Sequence, residues 1–324
     1  MTPASAPPQV ALASAMRNEG PFLLEWLAYH KVIGFGPILI ATNDCTDGSD
    51  RLLDLLETAG ELIHIHSELN DGESPQDVAM RRFYATLDST PIDWLCFIDS
   101  DEFVHITHGA GRIDDLMQVV GKCDVIGLPW LPFGDSGHQA RKLPILPNFT
   151  RCAISPAPEL CKFKSIFRFR NFEHAEDHRP VRPRIENPLV KSAEGKKLRS
   201  NFRADRKYSR YKPYDKSIAH HAACINHYGT RAADDFLMKN DRGDGHGVPS
   251  GKYYLGSLWH RTCNQNEGED RRILRHWPAV ETELARLRAL PGVAATERDC
   301  LEWDEARRAE VLTEENRMTW RKVP

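Results

Sequence analysis

The sequence predicts an α/β fold: a Rossmann-like, mostly parallel sheet covered by helices, followed by a helical C-terminal extension. Three observations carry this. Over the first 130 residues, apolar runs that read as buried strands alternate with segments of helical periodicity. That order suits parallel strands, because each crossover must return the chain to the starting end. The pattern then breaks near residue 131, where proline becomes frequent. Finally, the last 55 residues read as charged amphipathic helix.

Residues 9–16 (QVALASAM) read as the first strand. Residues 21–33 are helical, with Phe22, Leu23, Trp26, Leu27 and Tyr29 at apolar spacing and Pro21 suited to a first turn. Residues 37–41 form a buried strand. Ser49 can cap a helix running to residue 59, and Gly60 can close it. A third strand follows at 61–66, a helix at 75–87, a fourth strand at 92–98, a helix at 113–120 and another strand at 124–130. Residues 161–170 (CKFKSIFRFR) alternate at period two, with Phe163, Ser165, Phe167 and Phe169 on one face. Residues 187–216 hold little apolar content and read as a mobile basic loop. A strand within 217–228 leads to a helix at 232–240, and 276–290 is amphipathic helix.

Composition bounds the function. The 324 residues are 41% hydrophobic and 27% charged, with a formal net charge of −3, so the molecule as a whole is not a nucleic-acid binder by charge. No apolar run reaches the roughly 18 residues of a membrane span. The N-terminus, MTPASAPPQV, lacks the basic and apolar parts of a signal peptide. The eight cysteines form no CxxC pair, which suits reduced, buried thiols in a cytoplasmic protein. We divide the chain into a disordered lead-in (1–9), an alternating half (10–130), a second half (131–245) and the helical extension (246–324).

In parallel α/β sheets, ligands bind beyond the carboxyl ends of the strands. That rule selects three loops: Arg17-Asn18-Glu19, the run Asn43–Asp47, and Asp99-Ser100-Asp101. The last is the most informative. Residues two apart on an extended segment share a face, so Asp99 and Asp101 repel unless a cation lies between them. Hard carboxylate oxygens suit Mg²⁺ or Mn²⁺, which keep positions open for phosphate. The Asn43–Asp47 run either caps the next helix or lets Asn43, Asp44 or Asp47 bond a nucleoside.

Together, AMRNEGPFLLEWLAYHKVIGF, ATNDCTDGSDRLL and DWLCFIDSDEFV resemble family-two-like nucleotide-sugar glycosyltransferases of the A-type (GT-A) fold, most closely the bacterial branch related to family ninety-two, the former DUF23 proteins. WLPFGDSGH, KSIFRF and INHYGTRAADDFLMKNDRGDG fit the same pattern, over residues 10 to 245, and the resemblance implies that 10–130 is the nucleotide-sugar-binding half and 131–245 the acceptor and catalytic half. The resemblance implies that Asp99, Ser100 and Asp101 form the motif for metal and ribose-phosphate. It implies that Ala15, Arg17 and Glu19 approach the base, with Asn43 and Asp44 in a second nucleoside loop. Arg81 or Arg82, with Arg82 preferred, would meet the nucleotide, and His227 would return to the metal. Lys164 and the basic stretch 191–212 would close over the diphosphate.

Inversion at the anomeric carbon needs a base for the acceptor hydroxyl. Asp135, in a loop with two glycines, is the first candidate; Glu173, Asp177 and His178 are rivals. The expected activity is metal-dependent, inverting transfer from a nucleotide-sugar, a UDP-sugar by family habit, to a saccharide or glycolipid acceptor. Peripheral contact with the inner membrane face fits that acceptor. Three other readings compete. A nucleotidyltransferase would share fold and metal. A phosphatase of the haloacid-dehalogenase type also follows a buried strand with DxD, though Phe103 fills its usual Thr or Val position. A non-catalytic binder of anionic polymers or membranes would use residues 162–216, which hold 17 Lys and Arg against 7 Asp and Glu.

Overall fold

The computed structural model describes residues 8–154, 162–198, 220–242 and 253–321. The lead-in up to residue 7 and most of the expected basic loop, 199–219, lie outside them.

The first half follows the alternation in the sequence. It runs β1 (Val10–Met16), α1 (Gly20–Val32), β2 (Ile38–Thr42), α2 (Ser49–Thr58), β3 (Ile63–His66), α3 (Pro75–Asp88) and β4 (Trp94–Phe97). These strands are parallel in the order β3-β2-β1-β4. The winding therefore reverses between β1 and β4, which opens a crevice above their carboxyl ends. Two caps fix the surrounding helices. Ser74 accepts the Asp77 amide at the start of α3, and Pro75 occupies the first turn. Asp47 serves two helices: Oδ2 accepts the Gly20 amide of α1 and Oδ1 the Ser49 amide of α2. Of the loop residues expected to bond a nucleoside, Asp47 is thus occupied by helix capping.

Further elements follow β4, and some of their strands extend the same sheet. These elements are β5 (Glu102–Ile106), α4 (Ile113–Val120), β6 (Val125–Pro132), α5 (Ile145–Asn148), β7 (Arg151–Cys152), β8 (Phe163–Arg168), β9 (Phe172–Ala175), β10 (Pro180–Pro183), β11 (Val190–Ser192), β12 (Ala223–His227) and α6 (Ala233–Arg242). The order runs β4-β8-β6-β12-β5, with β11 beside the start of β6. β8 is antiparallel to β4 and β6, and β5 to β12, whereas β12 and β11 run parallel to β6. Among the described residues, both halves therefore share one sheet of nine strands, five of its eight pairings parallel. Two features go beyond what the sequence shows. The acidic loop is short and turns straight into β5, whose five residues are all buried. The expected mobile loop begins with β11, anchored by buried Val190.

The C-terminal segment holds α7 (Leu258–Cys263), β13 (Gly268–Glu269), α8 (Trp277–Arg288), α9 (Val293–Val311) and α10 (Glu314–Thr319). It is built into the fold: α8 and α9 pack on α1, and α9 on α2. A Cβ on Gly20 would come within 2.5 Å of the Cys300 Cβ, so the start of α1 touches α9 directly. That second layer explains why α1 is apolar nearly all round, with Trp26, Leu27 and Tyr29 fully buried. Among the described residues, no helix is long and apolar enough to cross a membrane.

Buried Glu25 of α1 accepts the Ile145 and Leu146 amides at 2.6 and 2.8 Å. Burial raises its pKa to about 7 despite those bonds. The folded state thus binds this proton more tightly than the unfolded chain, so the group's favourable contribution is complete below pH about 4.5 and lost as pH rises through about 7. Urea unfolding across that window should show wild-type stability falling relative to Glu25→Gln, by at most about 3 kcal/mol. Parallel pH profiles for the two proteins would contradict this.

Candidate functional site

The three selected loops meet at the β1/β4 crevice. Asn18 joins two of them, its side chain bonding both the Thr46 amide and the Thr46 hydroxyl. Asn18 and Asp44 adopt positive φ (52° and 48°), which Asn and Asp tolerate better than most residues. Exposed Arg17 donates from Nε to the Asp44 carbonyl, and Asn43 bonds the Asp44 carboxylate. Ala15 pairs with Ala41 across β1 and β2, so small side chains line the strand ends behind these loops.

Asp99 and Asp101 do not face a shared gap. Each meets a buried lysine from the second half of the chain. Lys164 of β8, wholly inaccessible, reaches Asp99 at 3.1 Å, Glu102 at 3.5 Å and the Asp177 carboxylate. Burial alone would lower its pKa, but Asp177, Asp99 and Glu102 outweigh this and hold it well above the usual lysine range. Lys239 of α6 lies 2.8 Å from Asp101 and also donates to the Gly229 carbonyl. Burial pushes Asp101 up, but Lys239, His227 and Arg231 more than reverse that and keep it well below the ordinary range. Asp99 is shifted upward by burial, against the pull of Lys164, while fully buried Glu102 is raised well above its usual value by burial. Glu102 accepts the Asp99 amide at 2.8 Å and so closes the turn.

A second charged layer lies beneath. Arg231 donates to the Ser100 carbonyl at 3.0 Å and to Glu19 at 3.1 Å, and stacks on Phe22 at 3.6 Å. Glu19 is also paired with Arg242. Beside Asp101, the His227 Nε2 stands 3.7 Å from Oδ1, and the ring stacks on Trp130 with centroids 4.1 Å apart. Burial lowers the imidazole pKa to about 3, so it is neutral, and its Nδ1 has no hydrogen-bond partner among the described residues. Trp259 of α7 extends the aromatic wall, with the Lys162 ammonium 5.2 Å from the Trp130 ring and 4.8 Å from that of Trp259.

Several expected roles change. Glu19 is 2% exposed and held by two arginines, so it is not free to meet a base. Lys164 is a core residue of β8 rather than part of a closing lid. Arg82 is exposed on α3; Gln76, at the helix start, is the residue that reaches Asp99, at 3.2 Å. Asp135 is occupied by its turn: its carboxylate accepts from Asn264, Asn266 and the Gly137 amide. Both ring nitrogens of His178 face oxygens, of Phe163 and Asp177. Burial pushes Asp177 up, but His178 and Lys164 prevail and leave it well below the usual range, which makes it a weak base that positions Lys164. Among the described residues, Asp99, Asp101 and His227 do not bring three ligand atoms within 4.8 Å; only Asp101 and His227 draw together. Within the basic segment, Lys164 is buried, Arg168 covers Trp94 and Arg170 holds the end of α3, whereas Arg182, Arg184, Lys196 and Lys197 are exposed.

Sequence reasoning missed Arg231, Lys239, Gln76 and Trp259. Arg231 and Lys239 lie in the quoted block 225–245, but nothing in their spacing marks them as ion partners of the acidic loop.

No family model matches the chain. Over 109 residues, 33% of its length, it is 29% identical to a glycosyltransferase family 92 protein of Ricinus communis, and it spans 19% of that protein. Among solved structures, it is similar to S. aureus TarS 1–349 in complex with UDP, at 15% identity and a TM-score of 0.32, covering 49% of this chain and 46% of that one. HddC from Yersinia pseudotuberculosis gives 9% identity and a TM-score of 0.31, over 57% of this chain and 89% of that one. At such TM-scores these are partial likenesses, and the fold rests on the sheet described above.

Replacing Lys164 by Met leaves buried carboxylates without their cation. Chemical denaturation should show a loss of about 3–5 kcal/mol. A loss below about 1 kcal/mol would mean that the ion cluster is solvated and structurally idle.

Proposed function

We propose that the chain is a glycosyltransferase, taking a sugar from a nucleoside diphosphate sugar, with a UDP-sugar favoured, and passing it to a hydroxyl of a saccharide or glycolipid. One observation carries the reading: the Asp99-Ser100-Asp101 turn sits at the reversal point of a parallel sheet, framed by buried cations and a neutral imidazole. The partial identity to a family 92 glycosyltransferase supports it. In this reading Arg17, exposed at the rim, and the Lys239–Asp101 pair at the floor bracket the diphosphate. Trp259, half-buried beside the His227–Trp130 stack, offers its indole to the sugar end.

The donor set at Asp101 fits a divalent ion. An ionised carboxylate oxygen and a neutral imidazole nitrogen approach each other at 3.7 Å without a hydrogen bond, a pairing that suits Mn²⁺ and, less well, Mg²⁺. Asp101 and His227 would hold the ion, with Asp99 kept by Lys164 as a neighbouring charge. When bound, the ion supplies positive charge to the departing diphosphate. The chain's own part is to fix Asp101 in its charged form and to present Arg17 to phosphate.

Thermal shift with a panel of nucleotide sugars, with and without Mn²⁺, tests this. A nucleoside diphosphate sugar at about 100 times its Kd should stabilise the fold by about 2.7 kcal/mol. Arg17→Ala, an exposed change, should raise the donor KM about tenfold with the melting temperature unchanged, and Asp101→Asn should abolish donor hydrolysis. No stabilisation by any nucleotide sugar, or full activity in Asp101→Asn, would overturn the reading. Transfer of a nucleoside monophosphate unit would assign the site to nucleotidyl transfer instead.

A further inference from the structure

At the other edge of the parallel sheet, β3 carries a second polar cluster. It reads Ile63-His64-Ile65-His66, and alternate strand residues share a face, so both imidazoles point the same way. Asp54 of α2 lies opposite them. The His64 Nδ1 is 2.7 Å and the His66 Nε2 2.8 Å from the same Asp54 Oδ1. One ligand atom from each residue lies within 4.8 Å of the others, and the two rings are 4.1 Å apart.

The cluster is also braced. The far nitrogen of His64, Nε2, is 2.8 Å from the Thr42 hydroxyl, and the His64 amide donates to Glu57. When an ion takes the Nδ1 lone pair, Thr42 can accept the Nε2 proton, as in metal-ligating histidines whose second nitrogen is held by the protein. The His64 side chain is buried, whereas His66 and Asp54 are 60% and 50% exposed. The site therefore has a rigid inner wall and an open outer side.

We propose that Asp54, His64 and His66 bind a transition-metal dication, Zn²⁺ foremost. Two imidazoles and one carboxylate match zinc and its neighbours, whereas Mg²⁺ and Ca²⁺ prefer oxygen throughout. The ion replaces the hydrogen bonds that now join the three side chains, and water completes its shell on the open side. It cross-links the edge strand to α2. It also sits one hydrogen bond from Thr42, the last residue of β2, directly before Asn43 and Asp44. Occupancy thus firms the strand end from which that loop departs. The proposal does not depend on glycosyl transfer.

The test uses the full chain stripped with EDTA and titrated with ZnCl₂ by calorimetry near pH 7.5, with Co²⁺ absorption as a report of the ligands. The wild type should bind Zn²⁺ here and develop Co²⁺ d–d bands. His66→Gln and Asp54→Asn, both exposed changes that spare the fold, should weaken this binding by at least about tenfold and diminish the bands. Circular dichroism checks that each variant is folded. Absence of Zn²⁺ binding in the wild type, or equal affinity and spectra in the folded variants, would overturn the proposal and leave the trio a hydrogen-bonded cluster.

Discussion

Burial of charge at the end of β4 is the constraint on which this molecule turns. Carboxylates cannot enter a protein interior unpaired, because the loss of hydration costs several kcal/mol for each ion. Here the partners come from far along the chain: Lys164 from β8 and Lys239 from α6. The acidic turn can therefore close only once both later elements have docked. Arg231 adds a third tie by holding the Ser100 carbonyl and Glu19 at once. Two stretches that read as separate halves become one sheet, joined by ion pairs where the winding reverses.

The same arrangement shapes the chemistry. Opposed groups beneath the crevice are already in position, so a charged ligand meets fixed dipoles rather than reorganising water. Proton affinities are split within a few ångströms. Asp101 and Asp177 stay charged, Asp99 is raised, and Glu102 takes a proton most readily. His227, neutral beside an ionised Asp101, turns its Nε2 toward that carboxylate at 3.7 Å without bonding it. Such a floor suits a phosphate-bearing ligand with its counter-ion.

Much of the first half was legible in the sequence, for a physical reason. Helix and strand periods are local, and α1 to β4 fall close to the segments that periodicity marks. The carboxyl-end rule then selected three loops that the fold ties together through Asn18 and Arg231. Pairing partners were not legible, because they depend on contacts far apart in the chain. Lys164 reads as one basic residue in a period-two strand, and only the approach of Asp99 and Asp177 makes it a core cation. Asp135 had the look of a base in a glycine loop, yet Asn264 and Asn266, contributed by a segment outside the resemblance, occupy its oxygens. Likewise IHIH shows two histidines on one face, while Asp54 joins them only through the packing of α2 on β3. The helical extension was visible as helix; that it covers α1 and α2 was not.

Amide hydrogen exchange with and without UDP and Mn²⁺ tests the central claim most directly, since it reports where a nucleotide sits irrespective of turnover. The account predicts added protection concentrated in the peptides that carry Arg17–Glu19, Asn43–Thr46 and Asp99–Asp101, and in the strand that ends at His227. Binding with protection elsewhere and none in those peptides would contradict it.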